Sequence, residues 1–372
     1  MTRKNKKDVS KLAKSAVSAG SKRSRLTNHL CPICSIVPPH MLRELAQRGT
    51  ESQRDSAFQT LTVSAQIRGR REVVGRIFSE FLIPPAGEKR RTVYNAKNRT
   101  RLPGTLVRGE GDPPSNDAAV NEAYDGAGAT YDLYDEVYGR NSIDGNGMRL
   151  DSTVHYRRNY DNAFWNGSQM VYGDGDGEIF QRFTKSIDVI GHELTHGVTQ
   201  FTANLDYQDQ PGALNESISD VFGSLVKQRV LNQKADEADW LIGEGLFTPS
   251  VNGVALRSMK APGTAYDDDK LGKDPQPAHM DNLYTGDQDN GGVHINSGIP
   301  NHAFYLAATE IGGYAWEKAG KIWYTALTTR LQHDSDFKAA ANITIEIAGQ
   351  LYGDDSPEQK AVRNAWQQVG VI

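Results

Sequence analysis

The run His192-Glu193-Leu194-Thr195-His196 constrains this chain most. It reads H-E-x-x-H and lies within Ser186 to Phe201, a segment whose pattern predicts a helix. Residues four apart on a helix share a face. Two imidazoles are therefore aimed at one point, with a carboxylate beside them, an arrangement suited to a zinc ion and a general base.

A catalytic zinc takes three protein ligands and leaves one position for water. Glu216 and Asp220, in Ala213-Leu214-Asn215-Glu216-Ser217-Ile218-Ser219-Asp220, are again four apart. Glu216 is the candidate third ligand. Asp220 can accept a hydrogen bond from the far nitrogen of a ligand histidine and fix its tautomer. In Asp289-Asn290-Gly291-Gly292-Val293-His294 an acid precedes a histidine by five residues in a Gly-rich stretch that predicts a tight loop. Asp289 could orient His294 and keep it protonated, so that His294 stabilises an oxyanion. Asn162-Ala163-Phe164-Trp165-Asn166-Gly167 is an edge-strand candidate. Its backbone and the Asn162 amide suit an extended peptide added as a further strand.

Taken together these segments resemble the thermolysin-like neutral zinc metallopeptidases. RTVYNAKN, NAFWNGSQMVYGDGDG, IDVIGHELTHGVTQ, GALNESISDVFG, ALRSM and DNGGVHINSGI stand in family order from about Thr92 onward. The His₂Glu zinc set of thermolysin is the type case of this chemistry, and the ligand assignment made here comes with that resemblance. The resemblance implies an endopeptidase with His192, His196 and Glu216 on zinc. It implies Glu193 as base, and Tyr207 and His294 as stabilisers of the tetrahedral intermediate. Asn162, Ala163 and Arg257 would bind substrate backbone, and Asp220 and Asp289 would orient histidines. The positions matching the family's specificity pocket are Phe180, Val189, Ile242 and Leu256, all apolar. Cleavage on the amino side of bulky apolar residues is expected, since an apolar pocket rewards an apolar group by roughly 1–3 kcal/mol. The rival reading is a binding module that holds zinc without hydrolysis; its mark would be loss of Glu193 or His294, and both are present.

The chain departs from the family's calcium pattern. Asp188, Asp239 and Glu244 are kept as possible calcium ligands, but Lys227 and Leu241 stand where acids are usual, and Val254 replaces another. Calcium takes six to eight oxygens, so at most one calcium is expected, and a Lys227 ammonium could replace a divalent ion.

The expected fold is α+β and two-lobed: a β-rich N-terminal lobe over 86–205 that ends with the zinc helix, and a helical lobe over 206–372. Ala118–Tyr138 predicts a helix, while Thr153–Tyr156 and Gln169–Tyr172 predict strands. Ser356-Pro357-Glu358-Gln359 predicts a capped helix start, with Val362, Ala365, Trp366 and Val369 as its apolar stripe.

Residues 31–85 resemble the short propeptide of the protealysin branch, which implies an intramolecular inhibitor over the cleft. One helix is expected from Met41 to Gln66, anchored by Leu42, Leu45, Phe58, Leu61 and Ala65. A maturation cut is expected between about Gln66 and Lys89. The Cys31/Cys34 pair admits a structural zinc site short of two ligands, a strained disulfide, or a Cys34 thiolate capping the catalytic zinc. Neither cysteine lies near the motif set in sequence, which leaves a cysteine protease without support.

Net charge is −4, unevenly spread. Residues 1–30 hold nine Lys/Arg against one Asp, leaving −12 for the remainder. The acidic body argues against a nucleic-acid partner. The basic start reads as a flexible tail, an unusual export address or a polyanion-binding arm; it lacks the apolar core of a secretory signal. Export by a non-standard route, with an intracellular pool possible, and a monomer without a membrane span are the expectations that follow.

Overall fold

The structure is a computed structural model, and it describes residues 35–74 and 88–372. The tail of residues 1–30, Cys31, Cys34 and most of the expected maturation segment lie outside the described residues.

The N-terminal lobe carries a five-stranded sheet in the order β2-β1-β3-β5-β4. The strands are β1 (Arg91–Asn95), β2 (Thr105–Arg108), β3 (Leu150–Val154), β4 (Ala163–Trp165) and β5 (Met170–Tyr172). β1, β3 and β5 run parallel; β2 and β4 pair antiparallel at the two ends. β4 is therefore the end strand of the sheet, as its sequence suggested, and its outer backbone row receives residues 35–37. β3 stops at Val154, short of Tyr156, because His155 turns to φ 54°. Helix α3 (Ala118–Asp132), capped by Asp117, runs on into a wide turn over Leu133–Val137.

Two long helices form the junction between the lobes. α4 (Ile187–Gln200) is buried along almost its whole length, and α5 (Asp209–Leu231) packs against it. Their close approach depends on Gly191 and Gly223. A Cβ on Gly223 would overlap the Asp188 carbonyl oxygen, and one on Gly191 would press on Gly223 Cα. A small two-stranded ribbon follows, β6 (Leu241–Ile242) with β7 (Arg257–Ser258). Then come α6 (Asp289–Asn296), α7 (Gly298–Ile311), α8 (Ala319–Thr329), α9 (Phe337–Tyr352) and α10 (Pro357–Gln368). In α10 the Ser356 oxygen accepts from Gln359 N, as the sequence predicts, but the Gln359 side chain reaches Asp355 N instead of Ser356 N. Val362, Ala365, Trp366 and Val369 are fully buried.

The segment before the catalytic body corrects one expectation. In place of one helix there are two, α1 (Pro39–Arg48) and α2 (Glu51–Val74). Gly49 ends α1, and Thr50 and Gln53 exchange backbone–side-chain hydrogen bonds that start α2. The break resets the helical phase. Leu42 and Leu45 are buried as expected, but Phe58 is 57% exposed and Ala65 faces solvent. Ala57, Thr60, Val63 and Ser64 take the inward positions, and Leu61 is partly covered.

Candidate active site

α4 and α5 bring His192, His196 and Glu216 together, one ligand atom of each within 4.8 Å of the others. His192 Nδ1 lies 2.8 Å from Asp220 Oδ1. An ionised carboxylate only accepts, so Nδ1 carries the proton and donates. His196 Nδ1 donates to Asn215 Oδ1 at 2.9 Å, with Ser219 Oγ also 3.0 Å away. Both Nε2 atoms are thereby left as acceptors. They face each other at 3.0 Å, with the Glu216 carboxylate 3.4–3.5 Å away. Three acceptors converging in a buried site repel unless a cation lies between them. Glu216 Oε2 also makes no hydrogen bond among the described residues. The donor set thus fits zinc.

Asp220 does more than orient His192. Arg257 grips it with two parallel hydrogen bonds, Nε to Oδ2 at 2.8 Å and Nη2 to Oδ1 at 2.7 Å, and Asn301 adds a third at 2.8 Å. Burial alone would raise this carboxyl; the Arg257 guanidinium and the His192 ring outweigh it and hold the group well below the usual range.

Glu193 faces the other way, toward the edge strand. Its Oε2 accepts from Trp165 N of β4 at 3.0 Å. Burial, and then the nearby Glu216 charge, push its carboxyl well above the ordinary value. A carboxylate so placed takes up a proton readily, as a general base must.

Asp289, Asn290, Gly291 and Gly292 all have positive φ, so the expected loop is a left-handed turn that leads into the helical end of α6. The turn swings Asp289 back onto His294. Oδ1 lies 2.7 Å from Nδ1, and Oδ2 accepts from His294 N at 2.9 Å. His294 Nε2 lies 3.2 Å from Ser35 O and 3.1 Å from Tyr207 Oη. With acceptors at both nitrogens, the ring is held as the charged imidazolium. Burial works against that charge, but Asp289 and Glu216 raise the His294 pKa to about 9. A divalent ion at Glu216 would oppose this rise, while the Asp289 contact would persist. Tyr207 donates to Glu216 Oε1.

Ser35, Ile36 and Val37 lie along β4. Ser35 bridges Phe164 antiparallel, and Ile36 N donates to Ala163 O at 3.3 Å. Asn162 clamps Val37 from both sides, accepting from its N–H at 2.9 Å and donating to its carbonyl at 3.2 Å. Arg257 Nη1 donates to Ile36 O at 3.0 Å. Asn162, Ala163 and Arg257 thus hold a peptide backbone. Phe180, Val189, Ile242 and Leu256 are buried in the same contiguous apolar cluster as Ile36.

Asp188, Asp239 and Glu244 also meet, around the Lys227 ammonium, at 3.7, 2.7 and 3.1 Å. The position between these possible calcium ligands is filled by a lysine cation. Sequence reasoning missed Asn215, Ser219 and Asn301, and it missed the Arg257–Asp220 pair. The signal was present for two of them: Asn215 and Ser219 sit beside Glu216 and Asp220 at the same helical spacing.

A fold of this shape, with a His₂Glu donor set on paired helices below an edge strand, defines a zinc metallopeptidase. The model of the thermolysin metallopeptidase catalytic domain matches residues 86–200, and that of the thermolysin metallopeptidase α-helical domain matches 203–371. The chain belongs to the thermolysin family. It is 51% identical over 341 residues to Protease PrtS of Photorhabdus sp. (strain Az29), covering 90% of this chain and 91% of that one. It is 49% identical over 345 residues to an extracellular metalloprotease of Pectobacterium carotovorum subsp. carotovorum, covering 91% and 97%. The structure of the precursor of protealysin, a metalloproteinase from Serratia proteamaculans, superposes with a TM-score of 0.84 at 54% identity. That match covers 91% of this chain and all of the other. The chain is a zinc-dependent endopeptidase with a propeptide.

Proposed function

We propose that His192, His196 and Glu216 hold the zinc, that Glu193 is the general base, and that His294 and Tyr207 stabilise the tetrahedral intermediate. The observation that carries this reading is the set of mutually facing acceptors at 3.0–3.5 Å, with Glu193 and the β4 edge beside them. Zinc held by these residues would lower the pKa of a bound water and polarise the scissile carbonyl. Glu193 takes the proton from the attacking water and delivers it to the leaving amine. His294, held as a cation by Asp289, donates to the oxygen that gains charge. Asn162, the Ala163 carbonyl and Arg257 fix the peptide backbone so that attack needs little reorganisation.

The apolar quartet Phe180, Val189, Ile242 and Leu256 favours cleavage before Leu, Ile, Val or Phe. Digestion of casein with mass spectrometry checks this; cuts clustered before Lys, Arg, Asp or Glu would refute it. The domain reading that goes with this function is a basic tail over 1–30, a propeptide over 31–85, and catalytic lobes over 86–205 and 206–372. The Lys227 ammonium is the cation of the Asp188, Asp239 and Glu244 cluster, in place of calcium. The place of action is outside the cell, in keeping with the relative named as an extracellular metalloprotease. The working form is a monomer, and no described helix is long and apolar enough to cross a membrane.

The test is cleavage of a quenched peptide with an internal Gly-Leu bond by wild type and Glu193→Ala, before and after limited trypsin treatment. Activity confined to processed wild type and abolished by a chelator supports the reading. No cleavage under any treatment overturns it in favour of a zinc-holding module without hydrolysis.

A further inference from the structure

The N-terminal segment crosses the cleft with one peptide bond at the reacting position. The carbonyl oxygen of Ser35 lies 3.2 Å from His294 Nε2, the group that serves a developing oxyanion. The nitrogen on the other side of that bond, Ile36 N, donates to Ala163 O and also faces the Glu193 carboxylate. The next carbonyl, Ile36 O, is taken by Arg257, and Val37 is clamped by Asn162. Ile36 and Val37 are fully buried. The proton donor thus stands at the carbonyl, and the proton carrier stands at the leaving nitrogen, which is the order that hydrolysis of Ser35–Ile36 requires. A segment that merely plugged the cleft could cross it in either direction and in any register.

We propose that Ser35–Ile36 is a self-processing site: the enzyme cuts its own N-terminal segment there and sheds residues 1–35, with the basic tail. The proposal rests on the endopeptidase reading above. Water adds to the Ser35 carbonyl carbon and gives its proton to Glu193. The C–N bond to Ile36 then breaks, and Glu193 passes the proton to the Ile36 nitrogen. The products are a Ser35 carboxyl and an Ile36 amine; the water's second proton then leaves the carboxyl and is taken up by the amine, giving a carboxylate and an ammonium. Residues after the cut stay docked, because Met41, Leu42 and Leu45 of α1 remain buried against the body. The cut removes the tail without clearing the cleft, so it precedes and does not replace the maturation cut expected between about Gln66 and Lys89.

The experiment is to strip the full chain with a chelator, reload it with zinc, and follow intact mass and N-terminal sequence over time. An aliquot treated with trypsin is assayed on the quenched peptide. The expected result is loss of the mass of residues 1–35 and a new N-terminus at Ile36. Glu193→Ala and Ile36→Pro should both stay whole, the second because it lacks the N–H at the leaving nitrogen. Ile36→Pro should still give an active enzyme after trypsin, which separates loss of the site from loss of the fold. If the treated aliquot cuts the peptide while residues 1–35 stay attached in the loaded wild type, the proposal falls and the endopeptidase reading stands. If neither bond is cut, both fall.

Discussion

The two ends of the α4–α5 pair solve the same problem in opposite ways. At one end His192, His196 and Glu216 turn acceptors toward one another, and the buried arrangement calls for a cation from outside. At the other end Asp188 of α4 meets Asp239 and Glu244, and α5 itself supplies the cation as Lys227. Gly191 and Gly223 lie between the ends and set the helix spacing for both. The comparison teaches that clustered carboxylates do not by themselves indicate a metal. What marks the zinc end is that every proton has been assigned elsewhere. Asp220 and Asn215 take the Nδ1 protons, so both Nε2 atoms turn acceptor lone pairs toward the Glu216 carboxylate.

The largest expected effect breaks the zinc end chemically without emptying it. Glu193→Gln should lower kcat on the order of 10²–10⁴-fold, with zinc content unchanged. Steady-state kinetics of trypsin-processed protein, with metal analysis alongside, checks it. Next is Asp220→Asn, which weakens the His192 tautomer lock. Zinc affinity should fall roughly 10–100-fold, read by competition with a chelator, whereas Lys227→Met should leave it unchanged.

At the other end, Lys227→Met leaves the buried Asp188 without its cation. Burial already pushes the Asp188 carboxyl up, and Lys227 offsets this only in part. The site is partly open, so the cost should lie between that of a surface pair and a buried one, about 1–3 kcal/mol. Urea unfolding measures it, and kcat should stay within a factor of about two, since an altered side chain far from the reacting atoms lies outside the transition-state contacts. The smallest effect lies in the sheet lobe. His155 is held between Asp174 and Asp117 at 2.9 and 2.8 Å. The Asp174 hydrogen bond leads in raising its pKa to about 9, against burial. A raised pKa gives stability that is complete below the unfolded value of about 6.5 and lost as pH rises through 9. Urea midpoints at pH 6.5 and 9 should therefore fall further in wild type than in His155→Gln.

Much of this site was legible because its chemistry is local. His192 and His196, and likewise Glu216 and Asp220, are pairs that one helical turn brings onto a face. The Asp289–His294 pair also lies within one turn and its helix. Contacts across elements were harder to read. Arg257 stands 37 residues from Asp220, and no spacing rule reports that its guanidinium both grips that carboxylate and holds the Ile36 carbonyl. Asn301, on α7, is hidden for the same reason. The two lobes were readable from patterning, but the phase of the N-terminal helices was not. Phe58 and Ala65 fit one continuous stripe from Met41, and the break at Gly49 and Thr50 turned them outward. The Thr50–Gln53 capping pair was the overlooked signal.

The most direct test of the central claim is zinc stoichiometry in three proteins purified without chelator: wild type, His192→Ala and Lys227→Met. One zinc per chain is expected in wild type and in Lys227→Met, and none in His192→Ala. Zinc absent from wild type, or retained in full by His192→Ala, would contradict it.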